Sequence, residues 1–279
     1  MTGSAVRASG DPPLSETRSI ALPNGGQLHS QFDACDQDAP VLVLSNSVLT
    51  DLSIWDDVAP ALTQKVNVLR YDQRGHGQST PPNGPMTFDE YGGDLLALLD
   101  AYGLESCIFA GLSMGVPTGL AAFAKAPERF MAFIAVDGVG KSAPGRETFW
   151  QERRATARAQ GLAVIAARTA PRWLPGADPE GTIAKRLEQI ITGTDLDGFS
   201  AATHALEGYD YSAVLPQMSI PFLAIAGAQD GAMPEAMKRQ FSTLKQAEFA
   251  TIEGAGHVPN FQAPQAFAEA LLAKLGALS

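Results

Sequence analysis

Only two cysteines and four histidines occur among the 279 residues. Cys35 and Cys107 are too few for a disulfide framework, and no Cys/His pairs stand at zinc-ligand spacing. Both thiols are expected to be reduced, as in a cytoplasmic protein. Basic residues are also scarce: 20 Lys and Arg face 30 Asp and Glu, a net charge of −10. Phosphate backbones are bound by Lys and Arg, so a nucleic-acid partner is not expected. No apolar run approaches the length that crosses a bilayer, so no membrane partner is expected either. The opening MTGSAVRASGDPPLSETRS has no apolar core and does not read as a secretory signal. Residues 1–17 are therefore expected to form a disordered lead. The remaining composition, 45% hydrophobic and 18% charged, is ordinary for a globular protein acting on something small.

Apolar runs of strand length alternate with helix-length amphipathic segments, which argues for βαβ units and a mostly parallel sheet. Strands are expected near Arg18–Leu22, Gln27–Asp33, Pro40–Ser45, Val66–Tyr71, Cys107–Ala110, Phe130–Val136, Pro221–Ala226 and Phe249–Glu253. Between them, helices are expected at Ile54–Leu62, Phe88–Ala101, after Gly111 to about Lys125, and at Gln265–Leu275. From Gly138 to Pro216 the strand signal disappears and only helical segments occur, such as Arg146–Gln160, Ala163–Arg168 and Gly181–Thr192. The layout is a core of residues 18–139 and 217–279, interrupted by a helical cap of residues 140–216.

One turn stands out: Gly111-Leu-Ser-Met-Gly115, where a buried strand meets a helix. A serine between two glycines at such a junction is lifted above the sheet, beside the free N–H groups of the helix start. The pentapeptide alone also fits an ordinary turn. What gives it weight is an acid and a histidine further on, each in a loop leaving a strand. Asp230 follows Ile225-Ala-Gly-Ala-Gln, and His257 lies in Gly254-Ala-Gly-His-Val-Pro-Asn260. Asp137 also ends a strand and is the rival acid. Asp72 is read as pairing with Arg74 in a structural turn that His76 shapes. His29 and His204 are read as surface or pocket-lining residues.

Four segments, LSNSVLTDLSIWD (Leu44–Asp56), LRYDQRGHGQS (Leu69–Ser79), GLSMG and GYDYSAVL (Gly208–Leu215), resemble the 3-oxoadipate enol-lactonases of the α/β-hydrolase superfamily. The resemblance runs from about residue 18 onward. It implies an α/β-hydrolase fold: a mostly parallel eight-stranded sheet flanked by helices, with the cap inserted after strand 6. The order Ser113, Asp230, His257 is that of the superfamily's triad. The resemblance thus implies a serine hydrolase that opens an enol-lactone through an acyl-enzyme, without metal or organic cofactor. Oxyanion donors would be the N–H of Met114 and that of Ser47 or Val48. The chain departs from the family at Leu49 and Val116, where relatives carry glycine, and both are expected to crowd the pocket. Asp137-Gly138 stands where relatives tend to carry an uncharged pair. Trp150, Arg153, Arg158, Arg172 and Trp173 of the cap are candidates to face the substrate. The same scaffold supports carboxylester cleavage, carbon–carbon bond hydrolysis, cofactor-free perhydrolysis and lactone sensing, so these remain alternatives. The expected partner is a small ester or lactone; oligomeric state leaves no mark in the sequence.

Overall fold

The computed structural model describes residues 14–276. Eight strands form one sheet: β1 (Leu14–Ala21), β2 (Gln27–Ala34), β3 (Val41–Ser45), β4 (Asn67–Tyr71), β5 (Cys107–Leu112), β6 (Phe130–Val136), β7 (Phe222–Gly227) and β8 (Ala247–Ile252). Their order is β1-β2-β4-β3-β5-β6-β7-β8. β1 pairs antiparallel with β2 and β2 with β4; from β4 to β8 all pairings are parallel.

β3, β4, β5 and β7 are buried along their whole length, as strands covered on both faces must be. Alternate residues feed two separate cores. Leu42, Leu44, Ile108, Ile134 and Ile225 point to one face. Val43, Leu69, Phe109, Phe133 and Phe222 point to the other. The helices are α1 (Ala59–Leu62), α2 (Phe88–Ala101), α3 (Gly115–Lys125), α4 (Arg146–Gln160), α5 (Leu162–Trp173), α6 (Thr182–Thr192), α7 (Leu196–Glu207), α8 (Met233–Phe241), α9 (Pro259–Gln262) and α10 (Pro264–Leu275). The first core is continuous with the cap: Trp150 of α4, Ile165 of α5, Leu187 of α6 and Phe199 of α7 belong to the same apolar cluster as the sheet residues. No helix among the described residues is long and apolar enough to cross a membrane.

Several expectations are corrected. The lead was expected to be disordered through residue 17, but β1 begins at Leu14, and Ser15, Glu16 and Thr17 pair with Asp33, Phe32 and Gln31. Side chains 15–19 are exposed, so this edge strand is held by its backbone ladder and carries little hydrophobic signal. Residues 1–13 lie outside the described residues. The helix expected at Ile54–Leu62 is two pieces, a 3₁₀ turn at Leu52–Trp55 and α1. Pro60 has no N–H to donate back to Asp56, and it stands instead in the first turn of α1, where no such bond is needed. Asp72 does not pair with Arg74. Its carboxylate accepts the N–H groups of Leu52 at 2.7 Å and Gln78 at 2.8 Å, while Arg74 holds Asp94 through two bonds of 2.7 and 2.9 Å. The planar guanidinium fork selects the carboxylate it can meet with both arms. α7 is a further cap helix, started by Asp195, whose side chain accepts from the Gly198 N–H.

Candidate active site

The turn after β5 is tight for a steric reason. A Cβ on Gly111 would lie 2.4 Å from the Gly115 carbonyl carbon, and one on Gly115 would lie 2.7 Å from the Ser45 oxygen. Between them Ser113 has φ 53°, a left-handed conformation that L-residues rarely adopt. The turn is pinned by the Ser113 N–H donating to Val136 at 2.7 Å and the Val116 N–H donating to the Ser113 carbonyl at 3.0 Å. The result is a hydroxyl standing at the carboxyl edge of the sheet, at the positive end of α3.

Two loops meet it there. His257 Nε2 is 2.9 Å from Ser113 Oγ, although 144 residues separate them. His257 Nδ1 is 2.7 Å from Asp230 Oδ2. An Nδ1–H held by a carboxylate leaves Nε2 unprotonated and facing the hydroxyl, the state needed to accept its proton. The Trp173 ring lies 4.9 Å from the imidazole, tilted by 39°. Below the loop, the Gly256 N–H donates to Gln262 at 2.8 Å, and Gln262 donates to the Pro175 carbonyl at 2.9 Å, tying the histidine to the end of the cap. Asp137, the rival acid, is fully buried beside Asp230, but the imidazole bond goes to Asp230.

The two sequence candidates for the second oxyanion donor are separated by geometry. The Ser47 carbonyl accepts from Asn46 Nδ2 at 3.1 Å, Thr50 Oγ1 at 2.9 Å and Thr50 N–H at 3.3 Å. In a trans peptide the Val48 N–H points away from that carbonyl. Val48 lines the cavity beside Ser113, whereas Ser47 does not. By the same logic the Met114 N–H points opposite the Ser113 carbonyl that Val116 occupies. Each of these N–H groups is thus turned away from a carbonyl that is already engaged.

Leu49 and Val116, expected to crowd the pocket, do not line it. Val116 turns into the second core, and Leu49 is buried in the first. Leu49 nevertheless has φ 66°. A left-handed leucine costs about 1–2 kcal/mol, a cost glycine avoids. Leu49→Ala keeps that cost and loses buried contacts, about 2–5 kcal/mol. Leu49→Gly loses the same contacts but relieves the backbone. Thermal melts are expected to show the glycine variant at least as stable as the alanine variant, reversing the usual glycine penalty. A glycine variant melting several degrees below the alanine one would contradict this.

Over these groups lies a cavity of about 550 Å³, walled by Trp150, Trp173, Leu206 and Tyr209 from the cap region and by Met233 from α8. Lys141, Arg146, Arg172 and Arg239 also line it. Arg146 stacks on Phe149 and Trp150 at 4.2 and 4.9 Å, and burial lowers its pKa below the usual arginine range. The Trp150 indole N–H is buried without a partner among the described residues. Of the cap candidates, Trp150, Arg172 and Trp173 reach the cavity; Arg153 donates to Thr169 at 2.7 Å instead, and Arg158 is exposed beside Ser200 and Asp197. Arg146, Lys141 and Arg239 were not singled out by sequence. Each sits where no periodic pattern tells a cavity-facing cation from a solvated one.

His76 is buried, with Nδ1 3.2 Å from the Arg74 carbonyl, and burial pulls it down to about 4. It shapes the turn and stays neutral. His29 and His204 contact Gln78 and Glu207, away from Ser113.

A family model for the alpha/beta hydrolase fold matches residues 40–264. Two 3-oxoadipate enol-lactonases of Acinetobacter baylyi are similar to this chain. Enol-lactonase 2 is 37% identical over 84% of this chain and 88% of that protein. Enol-lactonase 1 is 32% identical over 91% and 96%. The crystal structure of the enol-lactonase from Burkholderia xenovorans LB400 superposes with a TM-score of 0.85 at 30% identity, covering 93% of this chain and all of that one. With its eight-stranded sheet, its helices on both faces and these relatives, the chain is a hydrolase belonging to the α/β-hydrolase family.

Proposed function

We propose that the protein opens a small carboxylate-bearing enol-lactone of the 3-oxoadipate enol-lactone type, through an acyl-enzyme on Ser113. The observation that carries this reading is the hydrogen-bond relay from Ser113 through His257 to Asp230, opening into a cavity walled by cations in a chain of net charge −10. Lys141 is paired with Asp210 at 2.7 Å, so Arg146, Arg172 and Arg239 are the cavity cations that suit an anionic substrate, against the protein's overall field.

Ser113 Oγ attacks the lactone carbonyl as His257 Nε2 takes its proton. The oxyanion is held by the Met114 and Val48 N–H groups, each worth about 3–4 kcal/mol of barrier when lost. The ring C–O bond then breaks, and His257 returns the proton to the leaving enol oxygen. The enol becomes the ketone, which makes ring opening effectively irreversible. A water, deprotonated by His257, attacks the acyl carbonyl, and the departing Ser113 oxygen recovers its proton. Asp230 stabilises the imidazolium each time it forms. The aromatic walls exclude bulk water and strengthen these interactions.

Direct assay of 3-oxoadipate enol-lactone loss tests the reading, with neutral p-nitrophenyl esters, vinylogous diketones and peracid formation as comparisons. The enol-lactone is expected to have the largest kcat/KM; a neutral ester favoured a hundredfold would overturn the assignment. Arg146→Ala and Arg172→Ala are each expected to raise KM for the anionic lactone by roughly ten- to hundredfold, the range of one hydrogen bond to a charged group. KM for p-nitrophenyl acetate should move less than about threefold, since it carries no anion for either arginine to hold. Equal effects on both substrates would remove the anion-binding role.

A further inference from the structure

The relay uses Ser113, His257 and Asp230, and leaves Asp137 without a task. Asp137 closes β6 with φ 40°, one of three non-glycine residues with positive φ among the described residues, and its side chain is fully buried. The Gly227 N–H at the end of β7 lies 3.1 Å from each of its two carboxyl oxygens. One oxygen of Asp137, one of Asp230 and a ring nitrogen of His257 lie within 4.8 Å of one another. Asp137 and Asp230 therefore stand side by side at the carboxyl edge of the sheet, with facing oxygens no more than 4.8 Å apart.

Two carboxyl groups this close, one of them fully buried, resist ionising together, and a proton held by one lets it donate to the other, because ionised carboxylates only accept. The charges around the pair decide who holds it. His257 is turned to Asp230 at 2.7 Å, and Arg172 also acts on Asp230. Lys141, Arg146 and Arg239 also line the cavity, Lys141 paired with Asp210 at 2.7 Å. Burial drives Asp137 well above the usual carboxylate range and the Asp230 charge adds to this, opposed only by the Gly227 N–H. Burial also works to raise Asp230, but the His257 charge and hydrogen bond, the Asp137 carboxyl and Arg172 outweigh it and hold Asp230 low.

We infer that Asp137 is a positioning residue: in its acid form it donates a hydrogen bond to Asp230, fixing the carboxylate that aims His257 at Ser113. The inference rests on the serine-hydrolase reading of the relay. The bond withdraws charge from Asp230 and restrains it in the rotamer that meets Nδ1. An asparagine at 137 keeps both functions, since its N–H₂ can donate to Asp230 and its oxygen can accept from Gly227. An alanine keeps neither.

The experiment compares Asp137→Ala, Asp137→Asn and wild type in kcat, KM and the pH profile of kcat/KM. Asp137→Ala is expected to lower kcat by roughly ten- to hundredfold with KM little changed, the range of one hydrogen bond to a charged group. With Asp230 left more negative, the imidazolium is favoured, so the acidic limb of the profile should move to higher pH. Asp137→Asn should rescue most of the lost kcat and return the limb to its wild-type place. An unmoved limb in the alanine variant, or an asparagine variant as impaired as alanine, overturns the inference.

Melting temperature read against pH gives a second measure that needs no catalysis. Above the unfolded carboxylate pKa the wild-type native state retains a proton that the unfolded chain releases, so its stability falls as pH rises. Asparagine has no such proton, so its melting-temperature gain over wild type should grow from pH 4 to pH 8. A constant difference means Asp137 is ionised and overturns the inference. Ser113→Ala assayed alongside separates the two claims: its activity judges the hydrolase reading, whereas the melting series judges the proton on Asp137.

Discussion

Ser113→Ala is expected to lower kcat/KM on its best ester or lactone by about 10⁵–10⁶-fold, the scale on which nucleophile removal acts in triad hydrolases. The remainder, about 10³–10⁴-fold over water, is expected from the proposed Met114 and Val48 donors and from binding. The fold should survive, because the turn is held by the glycines and by backbone bonds to Val136 and Val116 rather than by the hydroxyl. Mass spectrometry after rapid mixing should show an acyl adduct on wild type and none on the variant. Loss of less than about tenfold would mean that another group attacks the substrate.

Asp230→Asn is expected to cost about 10⁴-fold in kcat/KM, mainly through the wrong histidine tautomer. The Asp137 carboxyl beside it would donate to the asparagine oxygen and leave the N–H₂ facing His257 Nδ1. That nitrogen then becomes the acceptor, Nε2 carries the hydrogen, and the Ser113 proton has nowhere to go. Steady-state kinetics together with an NMR determination of the imidazole tautomer would check both halves. A variant within tenfold of wild type would show that a different carboxyl orients the ring.

How much of this was legible before folding varies by residue. Ser113 and its flanking glycines were readable because the turn cannot be built with other residues at 111 and 115. His257 was readable because it sits in a loop just after two glycines, Gly254 and Gly256, between the last strand and the last helix. Choosing between Asp137 and Asp230 was harder. They close β6 and β7, which are neighbours in the sheet, so both arrive at the same edge. Only the direction of one hydrogen bond separates them. Ser47 and Val48 pose a similar problem: they are adjacent in sequence, and only Val48 lines the cavity beside Ser113. Leu49 and Val116 look like pocket intruders when set beside relatives. In three dimensions their side chains leave the cavity, and at Leu49 the glycine preference is a matter of backbone angle. Arg146 was invisible because an arginine at the start of an amphipathic helix carries no mark of what it faces. β1 was shortened for lack of apolar residues, although a ladder of backbone bonds needs none.

The continuity between the cap and the first core bears on how this enzyme could be re-tailored. Trp150, Ile165, Leu187 and Phe199 share an apolar mass with Leu42 and Ile225 of the sheet. Transplanting the cap from a relative to borrow its selectivity would therefore cut through a single packed interior rather than along a seam. Such a chimera should melt earlier than either parent unless the facing sheet residues travel with it. Point changes at the cavity wall leave that interior whole, and are the gentler route to a new substrate.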